Sequence, residues 1–202
     1  MEKVSEVIPG YSYGTPEVAP SPVSMREFND LKVSGGFTEE DERYLRLALA
    51  VLADQTKQIV DHWRSGIIAG IPNLAAHSRT PERNAIPDYL ATSNLRFQQW
   101  ILDTCLRPYD QAGSTISRRL LLRHTAAKKN KVDGARSTPH VPLRDVIAFI
   151  AYEHNYQAVS CCKRTFGRRR RQYARAWCKS IQLQLALWIG PYADARRASK
   201  EW

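Results

Sequence analysis

The sequence predicts an all-α fold, and three observations carry that reading. Apolar residues recur every three or four positions over long stretches, the spacing of one helical face. No segment alternates apolar and polar residues as a strand would, and no repeat of fixed period is present. Proline, glycine and capping residues fall mostly between the apolar stretches.

The elements follow in order. Residues 1–23 are rich in Pro, Gly and Ser and read as an extended arm, held against the body from Ile8-Pro9-Gly10-Tyr11 on. Ser24 caps a short helix to about Lys32, which Gly35-Gly36 ends. Thr38 and Asp41 make a capping box with Asp in place of the usual Glu, and acids crowd the positive end of that helix. Tyr44, Leu47, Ala48, Val51, Leu52, Gln55, Ile59 and Trp63 share one face. The pattern fits about seven turns, read as two helices meeting near Asp54. Pro72, just past Gly70, stops the second.

A helix from Pro87 to about Leu106 turns Leu90, Asn94, Phe97 and Ile101 inward, with Trp100 beside them. Pro108 separates it from a helix of about Asp110–Lys129. There Ala112, Ile116, Leu120 and His124 recur every four residues and Ala127 continues the line. After the turn-rich stretch 130–142, Pro142 suits the first turn of a helix carrying Val146, Ile147 and Ile150. The last helix bears Trp177, Ile181, Leu185, Trp188 and Tyr192 on one stripe.

With 202 residues, 43% hydrophobic and 25% charged, the chain suits one globular domain with a core. Apolar runs such as Leu47–Ala53 fall far short of a membrane span, and residues 1–30 lack the pattern of a secretory signal. The four cysteines, Cys105, Cys161, Cys162 and Cys178, form no C-x-x-C pair and no zinc spacing, so they read as reduced thiols of a cytoplasmic protein. The net charge of +10 is uneven. Residues 1–110 carry 11 Lys and Arg against 15 Asp and Glu, and residues 111–202 carry 19 against 5. Gly113–Leu120 and Tyr152–Arg175 hold most of the excess; without them the net charge would be +2.

No glycine-rich phosphate loop, G-x-S-x-G, H-E-x-x-H or framed acid pair is present, which points to binding rather than turnover and to a protein that is not an enzyme. Of His62, His77, His124, His140 and His154, only His124 lies on an apolar helical stripe. Two readings stand for it. One is a core histidine bonded to a carbonyl; the other is an axial ligand to haem iron, which needs a neutral imidazole in an apolar slot. Arg123, Lys128 and Lys129 could meet haem propionates or form a solvated helix face. Trp63 and Phe97 could supply the flat opposite wall or be plain core aromatics.

Taken together, these segments resemble the protoglobins, single-domain relatives of the globin-coupled sensors. The resemblance rests on Ile8-Pro9-Gly10-Tyr11-Ser12-Tyr13-Gly14, Phe37-Thr38-Glu39-Glu40-Asp41, Asp54-Gln55, Trp100-Ile101-Leu102-Asp103-Thr104 and Tyr109-Asp110-Gln111-Ala112. Leu122-Arg123-His124 with Lys128-Lys129-Asn130, and Leu183–Trp188 before Pro191-Tyr192, complete it. It implies a globin-like fold with an extra N-terminal helix over residues 24–192, an ordered arm before it and a tail at 193–202. It also implies one haem b whose open iron site reversibly takes oxygen, carbon monoxide or nitric oxide. His124 falls on the proximal ligand, Trp63 on the distal tryptophan and Phe97 on the second distal aromatic. Arg96 falls on a basic residue near the haem edge and Phe149 on a pocket phenylalanine. A homodimer through the last two helices is implied as well.

Three departures stand out. Arg64 follows Trp63 where the family usually has tyrosine. Over iron it would steady bound dioxygen or attract anions, but long basic side chains more often swing outward to propionates or water, and the outward position is expected. The family usually has Trp-Leu-Asp-Tyr where this chain reads Gly113-Ser114-Thr115-Ile116, so the helix before His124 is expected to lose packing groups and hold haem less firmly. Tyr152–Arg175 lacks the family's helical pattern and puts charge where a core is needed. Two compensating reading-frame slips in the gene would produce both of these departures, and the gene's codons for Arg168–Arg171 test that. Two other functions compete with gas binding: a helical domain that has lost haem, and a basic nucleic-acid-binding module using Lys163, Arg164 and Arg168–Arg171, which no recognised motif frames.

Overall fold

The capping residues set the first two helices as their chemistry requires. In a computed structural model that describes residues 8–11, 20–150 and 168–196, α1 spans Met25–Ser34 and α2 spans Glu39–Leu52. Ser24 and Glu27 exchange the two bonds of a capping box, and Thr38 and Asp41 do the same, each cap stabilising its helix by about 1 kcal/mol. Gly36 turns the chain between them at φ +59°, a conformation glycine adopts without steric cost.

The break near Asp54 is present, since α3 covers Thr56–Gly66. The buried stripe of α2 differs from the expected one: Asp41, Leu45, Ala48 and Leu52 face inward, Tyr44 and Val51 are partly covered, and Leu47 is 45% exposed. Asp41 decides this, because Lys179 reaches it at 2.7 Å from the last helix and a buried carboxylate must face its partner. Short helical turns at Ile68–Gly70, Pro72–Ala75 (α4) and Ala76–Ser78 follow, and α5 runs from Pro87 to Leu106 as predicted.

The next helix is shorter than expected. α6 covers Gln111–Leu122, and turns occupy 123–134. The Arg123, His124 and Thr125 amides bond back three residues to Leu120, Leu121 and Leu122, the tight pattern that closes a helix. The His124 carbonyl instead accepts from the Val141 amide at 2.7 Å. Ala127 is exposed and does not continue the stripe. α7 occupies 143–150 of the described residues, with Val146 and Ile150 buried and Ile147 43% exposed.

α8, Arg168–Arg196, is the spine. It packs on α2 and α6, while α5 packs on α2 and α3. Its predicted stripe holds: Trp177, Ile181, Trp188 and Tyr192 are buried and Leu185 is partly covered. Trp100 lies against both Trp177 and Trp188, with ring centroids 6.1 and 6.2 Å away. Two of these three indoles are tied across helices, Trp100 Nε1 donating to Gln184 at 2.7 Å and Trp188 Nε1 to Ser117 at 2.8 Å, while Trp177 Nε1 is buried without a hydrogen bond among the described residues. Arg169, Arg170 and Arg171 are exposed, so none of these three charges is buried. Lys163, Arg164, His154, Cys161 and Cys162 lie outside the described residues; Cys105 is buried and Cys178 partly buried. Among the described residues the only strand-type pairing is the isolated bridge between Arg79 and Ala85, and no helix is long and apolar enough to cross a membrane.

Candidate haem cleft

Five helices, α3 and α5 to α8, and the turns after α6 enclose one cleft of about 890 Å³, open mouth included, within the range of small-molecule sites. α3 delivers Trp63 and Arg64 from its last turns, α5 delivers Ser93, Arg96, Phe97 and Trp100, and α7 delivers Phe149. His124 enters from the turn after α6. All six residues singled out in the sequence, Trp63, Arg64, Arg96, Phe97, His124 and Phe149, therefore line the same space. A second chamber of about 590 Å³ shares Trp63, Arg64, His124 and Phe149 with it and extends to His77 and Asp145.

The aromatic side is a packed cluster. Trp63 has Phe149 at 4.3 Å and Phe97 at 5.1 Å between ring centroids, both tilted. Phe97 stacks on Trp100 at 5.5 Å. Such contacts add about 1 kcal/mol each beyond burial and give the cleft a flat apolar wall.

His124 is held as a neutral imidazole. Burial, followed by the nearby Lys129 cation, pulls its pKa down to about 4, while the Leu120 carbonyl one turn back pulls the other way. Its Nδ1 is buried without a well-formed hydrogen bond. A neutral ring in an apolar cleft is the state that ligates iron, so the donor fits a haem.

The cations divide by role. Arg96, only 6% exposed, makes a bidentate pair with Asp133 at 2.8 and 2.9 Å and donates to the Pro9 carbonyl at 3.0 Å. Arg123 reaches the same carboxylate at 3.9 Å and donates to the Gly10 carbonyl at 2.7 Å; burial draws its pKa to about 10. The arm is thus pinned at Pro9 and Gly10, and Tyr11 adds a bond to Asp103 at 2.9 Å. Lys129 is no solvated side chain. It is 4% exposed, bonded to His77, Asn130 and Ser137 oxygens, and burial lowers its pKa to about 8. Lys128 is exposed at the cleft.

The outward position expected for Arg64 is not adopted. Its Nε donates to Asn94 at 2.8 Å, its Nη2 to Ser93 at 2.6 Å, and its guanidinium lies 4.8 Å from the Trp63 ring centre. Two acceptors one turn below on α5 hold the fork against the cleft wall, which outweighs the hydration gained by swinging out. Before His124, Ser114 is 1% exposed with an unbonded Oγ, and Arg118 Nε is buried without a partner. Gly113 sits where an added Cβ would come 2.5 Å from the Pro108 carbonyl. A Trp at that position could not be seated without moving the backbone.

Sequence reasoning missed Asp133, Ser93 and His77. Asp133 left a signal, being the only acid between Asp110 and Asp145. His77 left none; its Nδ1 meets Thr138 at 2.7 Å and its Nε2 approaches Asp145 at 3.7 Å.

No curated protein matches the chain. A sequence profile of the protoglobin family matches residues 24–198, most of the chain. With its all-helical architecture, the chain belongs to the protoglobin family, whose members are globin-type haem and gas-binding domains.

Proposed function

We propose that this protoglobin holds one haem b through the His124 imidazole and binds oxygen, carbon monoxide or nitric oxide at a five-coordinate iron. One observation carries the reading: a neutral His124 ring and the Trp63–Phe97–Phe149 cluster share a single cleft of porphyrin-compatible size. Bound haem would supply the iron that coordinates the gas. The chain's own residues then have separable tasks. His124 offers one ring nitrogen while the Leu120 carbonyl lies near the proton on the other. Trp63, Phe97 and Phe149 exclude water from the ligand's space. Lys128, exposed at the cleft, suits a propionate.

The test is an absorption spectrum of the purified protein with and without the imidazole. Wild type is expected to take up stoichiometric hemin and show a Soret band that moves with carbon monoxide. His124→Ala is expected to lose that uptake. A wild-type protein that refuses hemin would instead support the haem-free helical domain. Pairing of two copies through the last helices is a further part of this proposal, supported by Ile189, 48% exposed on α8. Its check is the molar mass in solution, and a monomer at all concentrations rejects it.

A further inference from the structure

We propose that Arg64 makes a small-anion site in this cleft, one that takes a monovalent oxygen or nitrogen anion such as nitrite or azide beside the aromatic wall. The argument starts from charge. Among the described lining residues, Arg64, Arg96, Arg123, Lys128 and Lys129 face a single carboxylate, Asp133. Asp133 is committed to Arg96 and Arg123. Lys129 is enclosed by three oxygen partners, and Lys128 is exposed to water. Arg64 is left without a carboxylate partner among the described residues.

Its geometry is fixed for the purpose. Asn94 and Ser93 occupy Nε and Nη2, both neutral acceptors, and Nη1 makes no hydrogen bond among the described residues. The Trp63 face steadies the plane of the fork at 4.8 Å. Burial lowers the pKa of Arg64 only to about 10, so it stays charged at neutral pH. A guanidinium held in a partly dry cleft with both N–H groups of Nη1 free stabilises an anion through a charge-assisted bond. Tyr89 and Ser93 also line both chambers beside it and offer hydroxyls to the same guest. The site belongs to this chain's own sequence, since it depends on arginine following Trp63. The apoprotein site stands by itself; coordination of the same anion to iron rests on the haem reading above.

Two measurements test the site. In the haem-free protein, chloride NMR line width is expected to be broadened by binding, the broadening displaced by nitrite or azide, and the response lost in Arg64→Gln. In the ferric haem protein, azide and nitrite titrations are expected to weaken about ten- to a hundredfold in Arg64→Gln, the worth of one charge-assisted bond. Carbon monoxide affinity of the ferrous protein should change less than about threefold, being neutral. Ser93→Ala keeps the charge but frees the fork, and a weakening of about two- to fivefold is expected from it. Equal anion affinity in wild type and Arg64→Gln overturns the proposal. So does an anion response seen only after reconstitution with haem dimethyl ester, which would assign the guanidinium to a propionate. A chain that takes up no haem yet loses its chloride response in Arg64→Gln rejects the haem reading and sustains this one.

Discussion

His124 shows how a single side chain couples function to stability. Burial, then Lys129, holds its folded pKa near 4, against about 6.5 in an unfolded chain. The folded value is the lower one, so the unfolded chain takes the proton first as pH falls. Apoprotein stability should therefore be full above about pH 6.5 and decline until about pH 4, by about 3 kcal/mol. His77, also lowered by burial first, acts in the same direction. Urea midpoints of the apoprotein at neutral and mildly acid pH measure the slope, and His124→Leu should flatten it; an unchanged slope in that variant would contradict the assignment. Asp133 gives a second prediction at this scale. Its removal strands Arg96, whose side chain is 7% exposed, and breaking a buried pair from one side is far costlier than the pair is worth. Asp133→Asn should lose about 3 kcal/mol of stability, read from the same midpoints; a loss below about 1 kcal/mol would mean that the pair is solvated.

Among the elements, the N-terminal arm has the clearest geometric demand. Gly10 stands at φ +72°, and a Cβ there would lie 1.5 Å from Arg123 Nη2 and 2.9 Å from Val132 Cγ1. Gly10→Ala should unseat the arm and release both carbonyl bonds that Arg96 and Arg123 make to it, costing roughly 1–2 kcal/mol. Faster protease cleavage beside Tyr11, with a lowered melting temperature, would report this; an unchanged cleavage rate would show the arm is not anchored there. The helices with side-chain caps were the most legible from sequence. Ser24 with Glu27 and Thr38 with Asp41 announce their own boundaries, and Pro87 and Pro108 bracket α5. The end of α6 was not legible, because Ala112, Ile116, Leu120 and His124 keep a helical rhythm. What stops that helix is distant in sequence: the Val141 amide claims the His124 carbonyl. The same limit applies at the cleft. Its apolar residues were readable from periodicity and resemblance, whereas the orientation of Arg64 depends on Ser93 and Asn94, roughly thirty residues away.

Across the whole molecule, stability is distributed unevenly around the cleft. The junction of α2, α5 and α8 is a continuous apolar core, with Leu45, Leu52, Ile101, Trp177 and Ile181 almost fully buried; the indole nitrogens of Trp100 and Trp188 are satisfied, and that of Trp177 is its one buried nitrogen without a hydrogen bond among the described residues. On the other side, α6 and the turns after it carry unbonded buried atoms at Ser114, Arg118 and His124, each a cost of about 1–3 kcal/mol where no water reaches. The turns of 123–134 hold to the body chiefly through side-chain bonds of Arg123, Lys129 and Asp133. Segments of that kind open locally before the core does. Amide hydrogen exchange of the apoprotein should therefore be fastest, among the described helices and turns, in α6 and 123–134, and slowest in α2, α5 and α8. A ligand gripped through His124 binds the closed form and should slow exchange most in 123–134, giving a regional signature of hemin uptake. His124→Ala should leave that segment's exchange unchanged when hemin is added. Uniform slowing across all helices would instead mean that hemin stabilises the fold without being held through this turn.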